Sequence, residues 1–204
     1  MSKKENSDEC CTLPGKVIFF ATGNVHKFNE VRSLLGPMGF AVALIRLKGD
    51  EVQSEDIKEI ATKTVKNAYS QSKLPIFVED AGLFIADLKG FPGPYAAYVF
   101  KTIQNRGVLK LMENVKVRQA TFKSAIAYLD ATLNEPRVFE GFSEGKITDS
   151  ERKTGGEDGF GFDPIFQPDG SNKTFAEMTL SEKNGFSHRA KAVRNLLSWL
   201  KEKA

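Results

Sequence analysis

The sequence predicts one α/β domain, and three observations carry that prediction. Short apolar runs typical of buried strands occur at residues 16–21 and 75–79. Segments between and after them carry apolar residues at three- and four-residue spacings, which is typical of helices. The chain has 204 residues, 41% of them hydrophobic, which suffices for a sizeable core in a single domain. Alternation of strand and helix is characteristic of α/β folds.

The N-terminal segment is expected to lie outside that domain. Residues 1–15 are rich in Lys, Glu, Asn, Ser and Asp and carry too little apolar surface to order themselves. We therefore predict a disordered leader at residues 1–15 and a single domain at residues 16–204. The two cysteines, Cys10 and Cys11, are adjacent in this leader and are a poor basis for a disulfide framework, which favours a reducing cytoplasm.

The first predicted unit of the domain is a strand, a turn and a helix. Residues 16–21 form the strand, Thr22 and Gly23 form the turn, and Asn24 is the expected helix N-cap. A Gly-Pro pair at residues 36–37 ends the helix. The next elements are predicted as a strand, a helix and a strand, at residues 40–47, 55–72 and 75–79.

The second half of the chain has a different pattern. Residues 121–129 and 137–147 are β-prone and flank a turn-like segment, which predicts a long hairpin. A final helix is expected to start at Ser187, because apolar residues repeat at helical spacing after it. The chain shows no internal repeat and no linker that would divide it.

Charge balance and hydrophobicity argue against a dedicated nucleic-acid binder and against a membrane-spanning protein. The 29 basic and 26 acidic residues give a formal net charge of +3, an excess too small for a dedicated nucleic-acid binder. No segment approaches the roughly 20 apolar residues that span a bilayer, and none resembles a signal peptide. We therefore expect a soluble protein that holds any anionic ligand by local placement of charge.

Residues 22–27 form the first segment that indicates chemistry. They lie where a strand gives way to a helix N-terminus, and free backbone N–H groups and the helix dipole favour an anion there. Gly23 permits close approach, and Lys27 adds a positive charge one turn into the helix. The alternative is an ordinary capped helix with a solvated lysine, because the spacing is not that of a Walker loop.

Two adjacent carboxylates form the second segment. Glu79 and Asp80 stand at the end of a predicted buried strand, the edge of a sheet where ligands usually bind. Adjacent strand residues point to opposite faces, so both reach one magnesium ion only if the strand ends there, and Gly82 is expected to supply the turn. Glu51 is a candidate third carboxylate. The alternatives are an acidic turn and, for Glu51, a solvated loop charge.

A glycine-rich aromatic stretch at residues 155–164 forms the third segment. Its glycines make backbone groups accessible to a ligand, and Phe160 or Phe162 is a candidate to stack on a base. The alternative is a tight loop pinned to the core. The dipeptide His188-Arg189 follows, but His188 has no cysteine or carboxylate at ligand spacing, which argues against a metal role or a serine-hydrolase triad.

These segments together resemble the inosine triphosphate pyrophosphatases, also called non-standard purine nucleoside triphosphate pyrophosphatases. The resemblance runs from residue 16 to the C-terminus. Several motifs in the same order and spacing are more specific than any one alone. The matching motifs lie at residues 20–27, 78–83, 90–95, 159–166 and 174–190.

The resemblance implies hydrolysis of ITP, dITP and XTP to the monophosphate and pyrophosphate. It further implies Mg²⁺ as the cofactor, with Mn²⁺ as a candidate substitute, a small purine nucleotide as the ligand, and a cytoplasmic homodimer. The implied fold is a central mixed sheet flanked by helices, with two lobes and a nucleotide-binding cleft between them. The alternative function is a purine nucleotide sensor that binds without hydrolysis.

The resemblance also implies the residues of the site. Asp80 is the implied catalytic carboxylate, and Glu51, Glu79 and Asp80 are the implied magnesium ligands. Two positions depart from the family pattern: Ala81 stands where Ser or Thr is common, and Thr64 stands where some members have a phosphate-binding lysine, which leaves Lys63 and Lys66 as candidate substitutes. The implied substrate-binding residues are Thr22, Gly23, Asn24, Val25, His26, Lys27, Ala81, Phe160, Gly161, Phe162, Asp163, Lys183, His188 and Arg189.

Overall fold

A computed structural model describes residues 16–47, 52–153 and 159–203 of the chain. The predicted leader and Glu51 lie outside the described residues. The described residues form the strands β1 (Lys16–Ala21), β2 (Phe40–Ile45), β3 (Ile76–Ile85), β4 (Pro92–Gly93), β5 (Gln119–Leu129), β6 (Arg137–Ile147) and β7 (Phe166–Pro168). The helices are α1 (Val25–Leu35), α2 (Ile57–Ser72), α3 (Ala96–Thr102), α4 (Gln104–Leu111), α5 (Leu180–Phe186) and α6 (His188–Glu202). None of these helices is long and apolar enough to cross a membrane.

The strands form one mixed sheet, which confirms the predicted fold class. Its order is β2-β1-β3-β5-β6-β7, with β4 paired to β3. The pairs β1–β2 and β1–β3 are parallel, and β3–β5, β5–β6 and β6–β7 are antiparallel. Strand β3 therefore joins the parallel half of the sheet to the antiparallel half.

The edge of β3 that faces β1 is open over its middle. Strand β1 pairs with β3 only through Ile76 and Phe77, and β4 pairs with Leu83 and Phe84. Strand β5 pairs with β3 along its whole length on the other side. Residues 78–82 thus have a partner strand on one edge only, and the chain that leaves β1 passes close to this gap.

Helices cover both faces of the sheet. On one face α1 and α6 bury Val31 and Leu196 against Phe20 and Phe77. On the other face α2 buries a stripe that includes Val65 against the strands. Because side chains alternate along a strand, Glu79 shares the α1 and α6 face with Phe77, whereas Asp80 points to the α2 face.

The local signals placed most element ends correctly. Asn24 caps α1 by accepting a hydrogen bond from the backbone N–H of Lys27, and Ser187 caps α6 in the same way. The predicted hairpin is confirmed as β5 and β6. Helix α2 begins at Ile57 rather than at residue 55, because Asp56 is its N-cap, and β2 ends at Ile45 rather than at residue 47. The short helices α3, α4 and α5 were not predicted.

The predicted turn at Gly82 is wrong. Strand β3 continues through Gly82, which pairs with Lys123 of β5, and ends only at Ile85. The glycine is needed for a different reason: a Cβ atom at this position would collide with the backbone carbonyl of Gly93 in β4, which pairs with β3. Because the strand does not turn, Glu79 and Asp80 point to opposite faces of the sheet.

Substitution Gly82→Ala should therefore destabilise the fold. The added methyl group must displace backbone atoms of Gly93, which cannot rotate away as a side chain would, so we expect a loss of about 1–3 kcal/mol in the free energy of unfolding. Urea denaturation measures this loss. Gly185→Ala is the matched control, since a Cβ there meets no atom within 4 Å, and an equal effect of both substitutions would contradict the proposed backbone contact.

Candidate active site

A cleft of about 610 Å³ opens where β1 and β3 separate. The end of β1 and the turn after it form one side, and α2 and the start of α3 form others. Thr22, Gly23 and Asp80 are the predicted site residues that line it among the described residues. Thr64 lines it as well, whereas Lys63 and Lys66 do not and instead form ion pairs with Glu59 and Glu135.

Asp80 is the carboxylate of this cleft. Its Oδ2 atom is buried and has no hydrogen-bond partner in the part of the chain that the structure describes. Burial raises the pKa of Asp80 to about 6; the positive charge of Lys27 opposes the shift, and the negative charge of Glu79 adds to it. An acid with this pKa and an unpartnered oxygen is suited to hold a proton or a cation.

The N-terminus of α1 lies beside this carboxylate. Asn24 occupies the cap position, and its own N–H donates to the Oγ1 atom of Thr22. The first turn of an α-helix has backbone N–H groups without helical partners, and its dipole favours negative charge. Val25 and His26 follow in the exposed first turn. The geometry is that of an anion site.

Glu79 is held on the opposite face of β3 by two cations. Its Oε2 atom lies 2.8 Å from Nζ of Lys27, and its Oε1 atom accepts hydrogen bonds from Nε of Arg189 at 3.1 Å and from Oγ of Ser124 at 2.7 Å. Burial alone would raise the pKa of Glu79, but Arg189 and Lys27 outweigh it and hold the pKa at about 2. Glu79 is therefore ionised, with both of its oxygens in contact with donors.

The ion pairs continue into a buried network that we call the ion cluster. It consists of Lys27, Lys183, Arg189, Glu30, Glu79 and Asp163. Nζ of Lys183 lies 2.6 Å from Oε1 of Glu30 and 2.7 Å from Oδ2 of Asp163, and Arg189 also pairs with Glu30. Three cations face three carboxylates, so the cluster is neutral.

Glu30 is a member of this cluster that the sequence analysis did not single out. Burial would raise its pKa, but Arg189 and Lys183 lower it to about 2. Lys183 in turn has a raised pKa, because Asp163 and Glu30 outweigh its burial. The only sequence signal for a role of Glu30 was the position of Glu30 three residues after Lys27, on the same side of α1.

The cluster positions the glycine-rich aromatic loop. Oδ2 of Asp163 accepts a hydrogen bond from the backbone N–H of Phe160 at 2.7 Å. The Phe160 ring stacks on His26, with centroids 5.4 Å apart and planes 17° apart. Phe162 is only 3% exposed and packs edge-on against Phe100, so the ring that a base can reach is Phe160. Gly161 adopts a positive φ of 63° between the two rings.

His188 lies against the core rather than in the cleft. Its ring stacks on Phe122 at 4.7 Å, with planes 7° apart, and Nδ1 has no hydrogen-bond partner in the described segments. Burial, with the charge of Arg189, lowers the pKa of His188 well below its usual value. The imidazole is therefore neutral at pH 7.

Ala81, which precedes Gly82 on β3, pairs with Ser124 of β5.

The fit of a metal ion in the cleft depends on the carboxylate of Asp80. No group of three His, Cys, Asp or Glu side chains suited to a metal occurs within residues 16–47, 52–153 and 159–203. Mg²⁺ is usually bound through one or two carboxylates together with substrate phosphates, so a full protein cage is not required. The unpartnered oxygen of Asp80 fits that role, whereas Glu79 is already paired and Glu51 lies outside the described residues.

Fold and site together define an α/β protein with a cleft in which a carboxylate lies beside a helix N-terminus. The model of the Ham1 family matches residues 18–199, and the chain belongs to this family. A dITP/XTP pyrophosphatase from Hyperthermus butylicus is 47% identical over 190 residues, which cover 93% of this chain and 97% of the relative. Another from Thermococcus kodakarensis is 45% identical over 183 residues, 90% of this chain and 96% of the relative.

Solved structures agree with this assignment. The Staphylococcus aureus Ham1 protein superposes with a TM-score of 0.79 at 27% identity, covering 93% of this chain and all of the other. A HAM1 protein from Coxiella burnetii gives a TM-score of 0.78 at 28% identity, covering 92% of this chain and 99% of the other. The similarity of fold therefore extends over nearly the whole chain.

The ion cluster predicts a pH-dependent effect of Glu30→Gln. The substitution leaves Lys183 and Arg189 with one carboxylate fewer in a buried site, so we expect a loss of about 3–5 kcal/mol in the free energy of unfolding at pH 7. Because the folded-state pKa of Glu30 lies below its ordinary value of 4.5, its stabilisation is complete above that pH and is lost as the pH falls toward 2.

Urea denaturation between pH 7 and pH 3.5 measures this effect. The difference between wild type and Glu30→Gln should shrink below pH 4.5. Glu59→Gln serves as the control, since Glu59 pairs with Lys63 on the exposed face of α2 and should change stability little. A loss of similar size in both variants, or a difference that does not change with pH, would contradict a structural role for the cluster.

Proposed function

We propose that this chain hydrolyses the triphosphates of non-standard purine nucleosides, such as ITP, dITP and XTP, to the monophosphate and pyrophosphate. One observation carries the proposal: Asp80 lines a cleft beside a helix N-terminus, and its buried Oδ2 atom has no hydrogen-bond partner in the described residues. The curated relatives named above support the choice of substrate, because they are named for dITP and XTP.

In the proposed reaction a water molecule attacks the α-phosphorus. A bond forms between the water oxygen and phosphorus, and the bond to the bridging oxygen breaks, so pyrophosphate leaves with the electron pair. Asp80 orients the water and accepts its proton, which a carboxylate with a pKa of about 6 can do near neutral pH. Asp80 would also hold a magnesium ion, which would supply positive charge to offset the charge of the phosphate oxygens.

The α1 N-terminus contributes to binding in this proposal. Backbone N–H groups after Gly23 donate to phosphate oxygens, and the helix dipole stabilises their charge. Lys27 contributes from the first turn, although Glu79 already offsets most of its charge. The triphosphate is thus aligned with its α-phosphorus near Asp80.

Selectivity is assigned to the 6-position of the purine. Inosine and xanthosine nucleotides have a carbonyl there that accepts a hydrogen bond, whereas adenosine has an amine that donates. Arg189 already donates through Nε and Nη1 to carboxylates, so we assign its Nη2 group to the carbonyl, with Phe160 as the stacking surface. Adenine would leave that donor unpaired.

The remaining parts of the proposal rest on the resemblance of the sequence to the family. They are the dependence on magnesium, the homodimeric assembly and the cytoplasmic location. The second candidate function is a nucleotide sensor without turnover. It differs in one measurable respect, since a sensor binds ITP but releases no pyrophosphate under any metal condition.

Asp80→Asn separates turnover from folding. The amide keeps the size of the side chain but removes the charge that accepts a proton, so kcat for ITP should fall by roughly 10²–10⁴. The melting temperature should not fall, because the substitution removes a charge that burial disfavours and an oxygen without a hydrogen-bond partner. Pyrophosphate release at saturating ITP and magnesium chloride, together with a melting curve, measures both.

Asp87→Asn is the matched control, because Asp87 is exposed in the turn after β3 and does not line the cleft. It should leave kcat unchanged. A folded Asp80→Asn protein that keeps more than about a tenth of the wild-type kcat would be incompatible with the role assigned to Asp80.

The assigned purine pocket predicts discrimination among substrates. ITP and XTP should be hydrolysed with a kcat/KM higher than that for ATP by about 10² or more, since a buried donor left unpaired by adenine is costly. Steady-state pyrophosphate release with each nucleotide gives the ratios. A ratio near unity would refute the assigned contact at the 6-position and leave the proposed phosphate chemistry intact.

A further inference from the structure

The lysines and the arginine among the implied substrate-binding residues are already paired. Lys27 faces Glu79, Lys183 faces Glu30 and Asp163, and Arg189 faces Glu30 and Glu79. In the neutral ion cluster the carboxylates already offset the positive charges. A triphosphate carries several negative charges, and this cluster leaves most of them without a full counter-charge.

Two other cations line the cleft without such partners. Arg46 follows the end of β2, and Lys101 lies in the last turn of α3. Both are exposed, and neither has a hydrogen bond or ion pair with any residue in the described ranges. They share the cleft with Gly23 and Asp80.

The α2 side of the cleft cannot supply a lysine. The residues of α2 that line this space are uncharged: Ile60, Thr64, Asn67, Ala68 and Gln71. Lys63 is paired with Glu59 on the exposed side of the helix, and Nζ of Lys66 lies 2.7 Å from Glu135. Lys63 and Lys66, the candidate substitutes for the phosphate-binding lysine, therefore already have ion-pair partners. The positive charges of the cleft that lack such partners among the described residues come from the end of β2 and from α3.

We propose that Arg46 and Lys101 bind the two terminal phosphates of the substrate, the part that leaves as pyrophosphate. We call this pair the cationic wall. The inference rests on the proposed function, because it assigns the polyphosphate end of the same ligand. It adds two binding residues that no motif in the sequence indicated.

Cleft geometry favours the terminal phosphates over the α-phosphate. For the proposed attack the α-phosphorus must lie beside Asp80, at the part of β3 that β1 does not pair with. The cationic wall comes from outside β3: Arg46 follows β2, the edge strand beyond β1, and Lys101 lines the cleft from the last turn of α3. Arg46 offers a planar fork for two phosphate oxygens, and Lys101 offers a point charge.

Binding of inorganic pyrophosphate tests the cationic wall without turnover. Isothermal titration calorimetry in magnesium chloride compares the wild-type chain with Lys101→Gln and Arg46→Gln. Loss of one charge-assisted contact should raise the dissociation constant for pyrophosphate by about tenfold in each variant. The KM for ITP should rise by a similar factor with kcat changed little, since the contact is made before and during the reaction.

Two further variants provide the controls. Lys110→Gln removes an exposed lysine of α4 that does not line the cleft, and it should bind pyrophosphate like the wild type. Lys101→Arg keeps the charge and should restore most of the affinity. Melting curves of each variant establish that the exposed substitutions leave the fold intact.

The outcomes separate the two proposals. If Lys101→Gln and Arg46→Gln match Lys110→Gln in pyrophosphate affinity and KM, the cationic wall is refuted even though ITP is hydrolysed. If only the cationic-wall variants lose affinity and Lys101→Arg regains it, the assignment is supported. If the wild-type chain binds pyrophosphate but releases none from ITP, the proposed function fails, and the calorimetry still decides the role of the wall.

Discussion

The ion pairs of Glu79 with Lys27 and Arg189 are the contacts on which the site depends. Glu79 lies in the middle of β3, Lys27 in the first turn of α1, and Arg189 in the first turn of α6. A buried carboxylate is costly unless it is paired, so the three elements must approach each other at one place. This requirement brings the N-terminus of α1 to the open edge of β3, where the cleft begins.

Alternation along β3 gives two adjacent carboxylates opposite properties. Glu79 points to α1 and α6, where cations hold its pKa at about 2. Asp80 points to the other face, where burial outweighs the charge of Lys27 and raises its pKa to about 6. A straight strand achieves this separation, whereas a turn at Gly82 would have brought both side chains to one side. The ion pairs of Glu79 fix the backbone that presents Asp80 to the cleft. Environments that push the pKa values of neighbouring carboxylates apart are a common way to divide acid and base roles.

The sequence predicted what short-range signals determine. The β1-turn-α1 unit, the β5–β6 hairpin and the start of α6 follow from apolar spacing and N-caps within a few residues. Gly82 was misinterpreted because the carbonyl that requires a glycine belongs to Gly93, on another strand. The role of Glu30 depends on Lys183, 153 residues further along the chain, and such a contact has no local pattern. Helix α3, and with it Lys101, was missed because seven residues are too few to show a helical period.

The charges of the ion cluster and those of the cationic wall have different physical roles. Those of the ion cluster are buried and balanced, so they stabilise the arrangement of β3, α1 and α6 whether or not a ligand is present. Those of Arg46 and Lys101 are exposed and lack described partners, so water solvates them at little cost until an anion replaces that water. A buried cation left unpaired to await a phosphate would destabilise the empty protein by several kcal/mol, which is a large fraction of the stability of a domain of this size. Placing the uncommitted cations at the solvent-exposed side of the cleft avoids that cost, and it explains why residues that bind phosphate need not be residues that hold the fold.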